Sequence, residues 1–423
     1  MLGLHFAILH YASARSSTLP SQPTNLTVNY RSGQSFITWT ERADLVSETY
    51  RIYRYSQAIT AANLMSAGLL YDVPEGTARF FENRFWTGSV WKNRYLDRYV
   101  IQDHGPQLIT GTGLLIWTFS PQDFNGGNSG NAYYAVTTVY SGTENTIDFN
   151  SANSIGPIGE VITDPLPVEI SNTVGAGWHV FIQYMDLRNW NPTFHAPNGT
   201  NSYYGLNSAD PEVARALQYA YDYAIFQPGA TQCGSMLPAQ LPASVWLHPW
   251  QGNNYPPASG SSTWCAYQIS PIDETETWWF GFARDHDFRK GGSISHTDRI
   301  VNYTEQRVLR MIYDLERSPI GPPVDPNRVY VSGYSMGAGG TLGFALRYPN
   351  VFAAAYATKP ATNYQLAGGW VGNISAKWGS TAMSVPVLIN APNHWADGLQ
   401  SHTGESVWDW ENHQSNLMNR QTD

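Results

Sequence analysis

The feature that most constrains the fold of this chain is residues 328–340, RVYVSGYSMGAGG. An apolar strand pattern runs directly into small residues that open a helix, and between them lies G-Y-S-M-G, a G-x-S-x-G motif. Such a motif makes a sharp, strained turn, so the glycines Gly333 and Gly337 are needed on both sides. Ser335 is then held at the tip with its hydroxyl exposed, and the helix N-terminus offers free N–H groups to a developing oxyanion.

The flanking sequence supports this interpretation, because G-x-S-x-G alone often occurs by chance. A turn signal, Asp325-Pro326-Asn327, precedes the strand, and the helical pattern continues to Arg347-Tyr348-Pro349. We therefore predict Ser335 as a nucleophile and the amide of Met336 as one oxyanion donor. The alternative is an ordinary glycine-rich strand-to-helix turn.

Length and charge narrow the class of protein. The chain has 423 residues, enough for two or three domains, and 42% of them are hydrophobic. Only 13% are charged and the formal net charge is -9, which argues against nucleic acid or an anionic membrane as the main partner. No segment has the length of a transmembrane helix.

Two features indicate export. Residues 2–14 are mostly apolar and end in Ala12-Ser13-Ala14, which is similar to the end of a signal peptide, although no basic region precedes it. This start is either a truncated signal or a segment without structure. Cys233 and Cys265 flank one predicted strand, so we predict a disulfide, with two free thiols as the alternative. We expect a secreted monomer.

The N-terminal part reads as an all-β unit. Alternating apolar residues predict strands at residues 25–30, 35–40, 50–55 and 132–139. The proline-rich entry, a tryptophan in the second strand and a tyrosine-rich late strand resemble a fibronectin type III sandwich over residues 20–166. That span exceeds the usual length of about 100 residues, so residues 57–131 would hold an insertion. The unit would be a spacer or packing module, or it would bind polymer through exposed aromatic side chains.

Residues 164–167, DPLP, predict the domain boundary, with residues 1–19 as a signal remnant and linker. From residue 167 to 423, strand and helix patterns alternate, which predicts an α/β domain. The predicted strands are residues 178–184, 219–226, 245–248, 277–283, 351–357 and 385–390. A helix is predicted over residues 303–317, because Val308, Met311, Ile312 and Leu315 fall on one face.

Three segments carry a resemblance to a known family: residues 247–252 (LHPWQG), 324–330 (VDPNRVY) and the G-x-S-x-G turn. They resemble secreted esterases of the α/β-hydrolase superfamily, in particular polyhydroxybutyrate depolymerases and related carboxylesterases. The resemblance covers about residues 167–400. It implies a serine hydrolase that cleaves carboxylic esters, including polyesters, without a cofactor or a metal ion.

The resemblance also implies the remaining site residues. The family has a glycine after the histidine that ends the LH strand, whereas this chain has Pro249, which has no N–H. The second oxyanion donor would then be Trp250 or Gln251, and His248 would anchor the loop. The triad acid follows a later strand, which points to Asp397, with Asp409 as the fallback.

The catalytic base is the least defined group. In the family a histidine follows one more helix and one more strand, whereas here residues 405–420 predict a helix and the chain stops at residue 423. Either the sequence is a fragment, C-terminally incomplete and without its base, or His394, His402 or His413 serves. His402 is the candidate within the chain because it lies in a predicted loop, while His413 is expected on a solvated helix face.

Aromatic residues near these loops suggest an apolar acyl-binding cleft lined by Trp250, Trp279 and Trp395, with buried packing as the alternative for Trp279. Asp285-His286-Asp287 has metal-ligand residue types at an unsuitable spacing, so we expect a loop beside the active site instead. The sequence thus predicts a secreted serine esterase. The alternatives are a serine peptidase or carbohydrate esterase on the same fold, and a non-catalytic binding protein.

Overall fold

The computed structural model describes residues 19–79, 84–86, 91–93, 96–119, 121–124, 129–170, 177–184, 220–250, 252, 264–273, 276–286, 293–317, 319–389 and 403–419. Within these ranges no helix is long and apolar enough to cross a membrane.

The described residues of the N-terminal part form ten strands. They are β1 (Thr24–Arg31), β2 (Gln34–Thr40), β3 (Thr49–Tyr55), β4 (Gly68–Pro74), β5 (Arg84–Trp86), β6 (Trp91–Asn93), β7 (Thr112–Thr118), β8 (Ser129–Tyr140), β9 (Thr143–Glu144) and β10 (Ser154–Val161). One sheet has the order β1-β2-β7, and a second has the order β10-β8-β3-β4 with β9 beside β8. β5 and β6 pair separately, and all of these pairings are antiparallel.

The two larger sheets share one hydrophobic core. Trp39 and Ile37 from the first sheet pack in one cluster with Ile52 and Tyr134 from the second. Such apolar burial is the main driving force for a two-sheet arrangement. The predicted insertion over residues 57–131 is too wide, because β4 and β7 fall inside it and are members of the two sheets.

The second half is an α/β unit. Its strands are β11 (Val168–Ile170), β12 (Trp178–Tyr184), β13 (Ala220–Phe226), β14 (Leu241–Leu247), β15 (Tyr267–Ser270), β16 (Phe282–Ala283), β17 (Ile300–Val301), β18 (Val324–Tyr334), β19 (Ala354–Thr358) and β20 (Val387–Leu388). Its helices are α1 (Ala230–Cys233), α2 (Tyr303–Arg317), α3 (Met336–Arg347), α4 (Val371–Trp378), α5 (Val407–Trp410) and α6 (His413–Asn419).

Among the described residues, seven strands form the main sheet in the order β11-β12-β13-β15-β14-β18-β19. The pairs from β15 to β19 are parallel, whereas β11, β12 and β13 pair antiparallel. β13 is buried at every position, as expected for a strand covered on both faces of the sheet, whereas β14 is fully buried only at alternate positions. The carboxyl ends of β14 and β18 therefore lie side by side, and the G-x-S-x-G turn follows β18.

Two predicted strands differ from the structure by more than their bounds. In the segment 277–283 only Phe282–Ala283 is a strand, because Trp278 and Trp279 adopt left-handed φ values of 59° and 64° that break an extended ladder. In the segment 385–390 the strand is β20, which pairs with β17 in a separate sheet and does not extend the main sheet. The short central strand β15 was not predicted.

The two halves are packed together at the β11–β12 edge of the main sheet. Phe36 meets Tyr184 edge-on with ring centroids 5.3 Å apart, and the Tyr184 hydroxyl donates a hydrogen bond to the Val100 carbonyl at 2.7 Å. The Gln34 amide donates to the Tyr184 carbonyl at 3.2 Å. Since these contacts are buried, the N-terminal unit is held against the α/β sheet rather than joined to it only by the chain.

The predicted disulfide is confirmed: Cys233 and Cys265 are bonded, with their Cα atoms 4.6 Å apart. The bond connects the end of α1 to the residues just before β15, and the two cysteines are 32 positions apart.

Candidate active site

Ser335 lies at a strained turn between β18 and α3. Its backbone has φ 56° and ψ −115°, a conformation that L-residues other than glycine rarely adopt. The Ser335 N–H donates to the Thr358 carbonyl on β19 at 3.0 Å, and the Ser335 carbonyl accepts from the Gly339 N–H at 3.1 Å. Two elements thus hold this conformation, and the Ser335 residue remains half-buried rather than sealed in the core.

The two motif glycines let α3 approach β14 closely. A Cβ added to Gly337 would overlap the Leu247 carbonyl and lie 2.7 Å from the His248 oxygen. A Cβ on Gly333 would lie 2.9 Å from the Leu247 oxygen and overlap Gly337 itself. The first turn of α3 therefore packs directly against the end of β14, which brings its free N–H groups beside the loop that follows.

The predicted oxyanion donors lie on the two segments that meet here. Met336 is the first residue of α3, so its N–H has no acceptor within the helix. Trp250 is two positions beyond His248, in a turn closed by a 2.8 Å hydrogen bond from the Gly252 N–H to the Pro249 carbonyl. The roles of Met336 and Trp250 stay predictions.

His248 anchors this loop, as predicted. Its Nδ1 lies 2.7 Å from the Pro249 carbonyl, and its Nε2 lies 2.9 Å from the Asp273 N–H, which donates to it. A neutral ring with its proton on Nδ1 satisfies both bonds. With both nitrogens engaged, His248 has no free nitrogen to take a proton from a serine.

Asp273, which was not predicted from the sequence, organises the loop behind the turn at Ser335. Asp273 is buried, and its Oδ1 accepts from the N–H and the hydroxyl of Thr277, both at 3.0 Å. Its Oδ2 accepts from the Trp279 N–H, also at 3.0 Å. These bonds compensate for the left-handed backbone of the segment. The only sequence signal for this role was the position of an aspartate shortly after β15, and that strand is too short to be recognised from the sequence.

The structure places Trp279 in the core, which agrees with the packing alternative and not with a cleft wall. Its side chain is 1% exposed, and its indole N–H donates to the His248 carbonyl at 3.2 Å. A Cβ on Gly340 of α3 would overlap this side chain. Trp279 therefore packs against α3 and the loop after β14, and so stabilises the turn at Ser335.

Three other tryptophans form a cluster that reaches the surface. The ring centroids of Trp250 and Trp370 are 4.7 Å apart, and those of Trp370 and Trp278 are 6.1 Å apart. Trp278 is fixed by a 2.9 Å hydrogen bond from its indole to Asn373. Trp370 is 40% exposed and Trp250 is half-buried. Trp370 was not predicted, because it is an isolated aromatic residue after two glycines.

A buried ion network fixes the far end of α3. The Arg347 Nε donates to Glu305 at 2.7 Å, and its Nη1 lies 3.0 Å from a Glu411 oxygen. The Tyr348 hydroxyl also donates to Glu305 at 2.7 Å. Burial raises the pKa of Glu411 to about 7, although Arg347 acts in the opposite direction. α3 is thus fixed at both ends: close glycine contacts hold its N-terminus, and the buried ion network holds its C-terminus.

The expectation that His413 lies on a solvated helix face is wrong. His413 is 1% exposed, and its Nε2 lies 3.6 Å from a Glu411 oxygen. Burial, together with the positive charge of Arg347, lowers the pKa of His413 to about 3. Asp409, the fallback acid, is exposed on α5.

Several predicted residues lie outside the described ranges: Asp397, His402, Trp395, His394 and Gln251. Their roles stay predictions. Within the described ranges, no three His, Cys, Asp or Glu side chains are grouped as metal ligands. Asp285 instead pairs with Arg284 at 2.7 Å.

No protein-family model and no curated protein matches the chain. Among solved structures it is similar to FphF, a fluorophosphonate-binding serine hydrolase of Staphylococcus aureus, with 17% identity and a TM-score of 0.26 over 37% of this chain and 59% of that one. It is similar to S-formylglutathione hydrolase FrmB of the same organism, with 17% identity and a TM-score of 0.24 over 34% and 53%. A thermostable esterase gives 12% identity and a TM-score of 0.26 over 94% and 88%.

The chain spans less than two thirds of the length of the two Staphylococcus aureus proteins. At these scores the likenesses add nothing to the assignment, which follows from the strand order and the turn at Ser335. Together these features define an α/β domain with a serine at a strained strand-to-helix turn.

Gly337→Ala tests the close contact between α3 and β14. Because the new methyl group would overlap the Leu247 carbonyl, we expect a loss of at least about 2 kcal/mol in the free energy of unfolding, measured in urea. Gly372→Ala is the matched control, since a Cβ there meets nothing within 4 Å. This control should raise the free energy of unfolding by about 0.4–1 kcal/mol, because alanine reduces the conformational entropy of the unfolded chain. Equal effects of the two changes would contradict the account.

His413→Gln tests the buried histidine. A pKa of about 3 in the folded state against about 6.5 when unfolded means that the unfolded state binds more protons below pH 6.5. Folding stability is therefore lost as pH falls from 6.5 towards 3, on the order of 2 kcal/mol between pH 6.5 and 4.5. In His413→Gln, the free energy of unfolding measured in urea should fall less steeply with decreasing pH than in the parent. In the control His296→Gln, which changes an exposed histidine, the dependence on pH should equal that of the parent. Identical slopes in His413→Gln and the parent would show that His413 is not buried neutral.

Proposed function

We propose that this protein is a serine hydrolase that cleaves carboxylic esters through an acyl-enzyme. The observation that carries the proposal is the backbone of Ser335, φ 56° and ψ −115°, at the end of a parallel strand with a helix N-terminus behind it. Sustaining this strain has a cost of about 1–3 kcal/mol, which is common where a side chain must be presented for chemistry.

In the proposed reaction, the Ser335 oxygen attacks the ester carbonyl while a histidine takes its proton. The negative oxygen of the tetrahedral intermediate is stabilised by the Met336 amide and by an amide of the loop after His248, at Trp250 or Gln251. The intermediate expels the alcohol, which takes the proton back from the histidine, and water then releases the acid. We assign the base to His402 and its orientation to Asp397.

The proposed substrate is a bulky or polymeric ester. The support is the partly exposed apolar surface of Trp250 and Trp370, which is backed by the buried Trp278. Aromatic surface of this kind suits acyl chains better than charged peptides. The alternatives are a carbohydrate esterase and a peptidase, and the substrate assays described below distinguish them from a polyesterase.

We also propose that the protein is secreted and monomeric, and that the N-terminal unit is fibronectin type III-like. The Cys233–Cys265 disulfide supports secretion, because such bonds persist in oxidising compartments. The strand orders β1-β2-β7 and β10-β8-β3-β4 support the assignment of the N-terminal unit.

Hydrolysis of p-nitrophenyl butyrate tests the function. We expect the parent chain to turn over the ester and Ser335→Ala to lose at least about a thousandfold in kcat. The control Ser380→Ala changes an exposed serine that makes no cap hydrogen bond and should leave kcat unchanged. His402→Ala should match Ser335→Ala if His402 is the base.

Failure of the parent chain to turn over the ester would favour a non-catalytic binding protein. Turnover that persists in Ser335→Ala would place the nucleophile elsewhere. Clearing of polyester film, compared with release of acetate from acetyl-xylan and cleavage of peptides, decides the substrate class.

A further inference from the structure

A groove on the N-terminal unit lies far from Ser335. It encloses about 340 Å³ between the outer face of β1 and β2 and the segment 101–109. The unit docks at the β11 edge of the main sheet, five strand positions from β18. At about 4.8 Å per strand, this separates the docking edge from the strand before Ser335 by roughly 24 Å. The groove is therefore a separate site.

One wall of the groove is a ladder of uncharged polar side chains. Asn25, Thr27 and Asn29 alternate along the exposed face of β1, and Thr38 and Thr40 line the groove beside them on β2. The Thr27 and Thr38 hydroxyls lie 2.6 Å apart, and the Asn25 amide donates to the Thr40 hydroxyl at 3.1 Å. Within the described residues, the Asn29 side chain makes no such bond, so its amide can both donate to and accept from a ligand.

The opposite wall combines an amide with apolar side chains. The Gln107 carbonyl oxygen accepts from the N–H groups of Asp97 and Arg98 at 3.0 and 3.1 Å, which leaves its NH₂ group as a donor. Ile109 is 76% exposed at the rim, and Gln102 adds a second exposed amide. None of the described residues that line the groove carries a charge.

This wall is fixed in place rather than a loose loop. The Leu108 N–H donates to the Tyr99 carbonyl at 2.9 Å, and the His104 N–H donates to the Glu169 carbonyl at 2.7 Å. Asp103 pairs with Arg31 at 2.8 Å. The groove is therefore pre-formed and attached to the α/β domain, which lowers the entropy lost when a ligand binds.

From this geometry we infer that the groove binds a neutral oligosaccharide chain. Hydroxyl groups of a sugar both donate and accept, which matches amides and hydroxyls that offer both roles, and the apolar faces of sugar rings match Ile109 and Leu108. A polyester chain offers only acceptors, so it would leave the acceptors of the ladder without partners. An anionic sugar would find no cation in the lining.

Calorimetric titration of the full chain carrying Ser335→Ala tests the inference without ester hydrolysis, so its outcome does not depend on the proposed reaction. The probes are xylohexaose and cellohexaose, with hexagalacturonate and a 3-hydroxybutyrate oligomer for comparison. We expect at least one neutral hexasaccharide to bind. Asn29→Ala and, on the other wall, Gln102→Ala should each weaken binding roughly tenfold.

The matched control is Asn131→Ala, which removes an exposed asparagine from β8, outside the groove. It should leave binding unchanged. Absence of binding by both neutral probes, equal affinity in Asn29→Ala and its parent, or tighter binding of hexagalacturonate or the hydroxybutyrate oligomer would each overturn the inference.

Discussion

The site depends on the contact between α3 and the end of β14. Gly337 lies so close to the carbonyls of Leu247 and His248 that no larger residue fits. This contact fixes where α3 begins, and so where Ser335 turns out of β18 with a left-handed φ. Because the helix N-terminus is held against the end of β14, the free N–H groups of the first turn of α3 lie beside the loop that follows β14.

Two sets of buried contacts stabilise this strained turn, one in the loop packed against α3 and one at the C-terminal end of α3. Below it, Asp273 holds the backbone of the loop that carries Trp279, and Trp279 packs against Gly340 and the His248 carbonyl. At the far end, Arg347 is fixed between two buried carboxylates. A strained conformation persists only where its neighbours over-determine it, and here the neighbours are buried and hydrogen-bonded.

Much of this could be predicted from the sequence where the pattern is local. The helix over residues 303–317 and the strand 178–184 have the predicted bounds, because their apolar periodicity is strong. The turn at Ser335 was predictable because the close packing of strand and helix in such a turn requires glycine on both sides of the serine. The segment 277–283 was not, because its left-handed residues are stabilised by Asp273, a tertiary contact that periodicity does not record. His413 was misplaced for the same kind of reason: its burial depends on packing against Tyr364.

The most direct test of the nucleophile assignment is labelling with a fluorophosphonate, followed by mass spectrometry of the digested protein. We expect the folded chain to carry the phosphonyl adduct on Ser335. The adduct should be lost when the chain is unfolded in urea before labelling, since activation of a serine would depend on the folded turn. A folded chain that is unlabelled at Ser335, or one labelled at Ser335 no faster than the unfolded chain, would contradict this assignment.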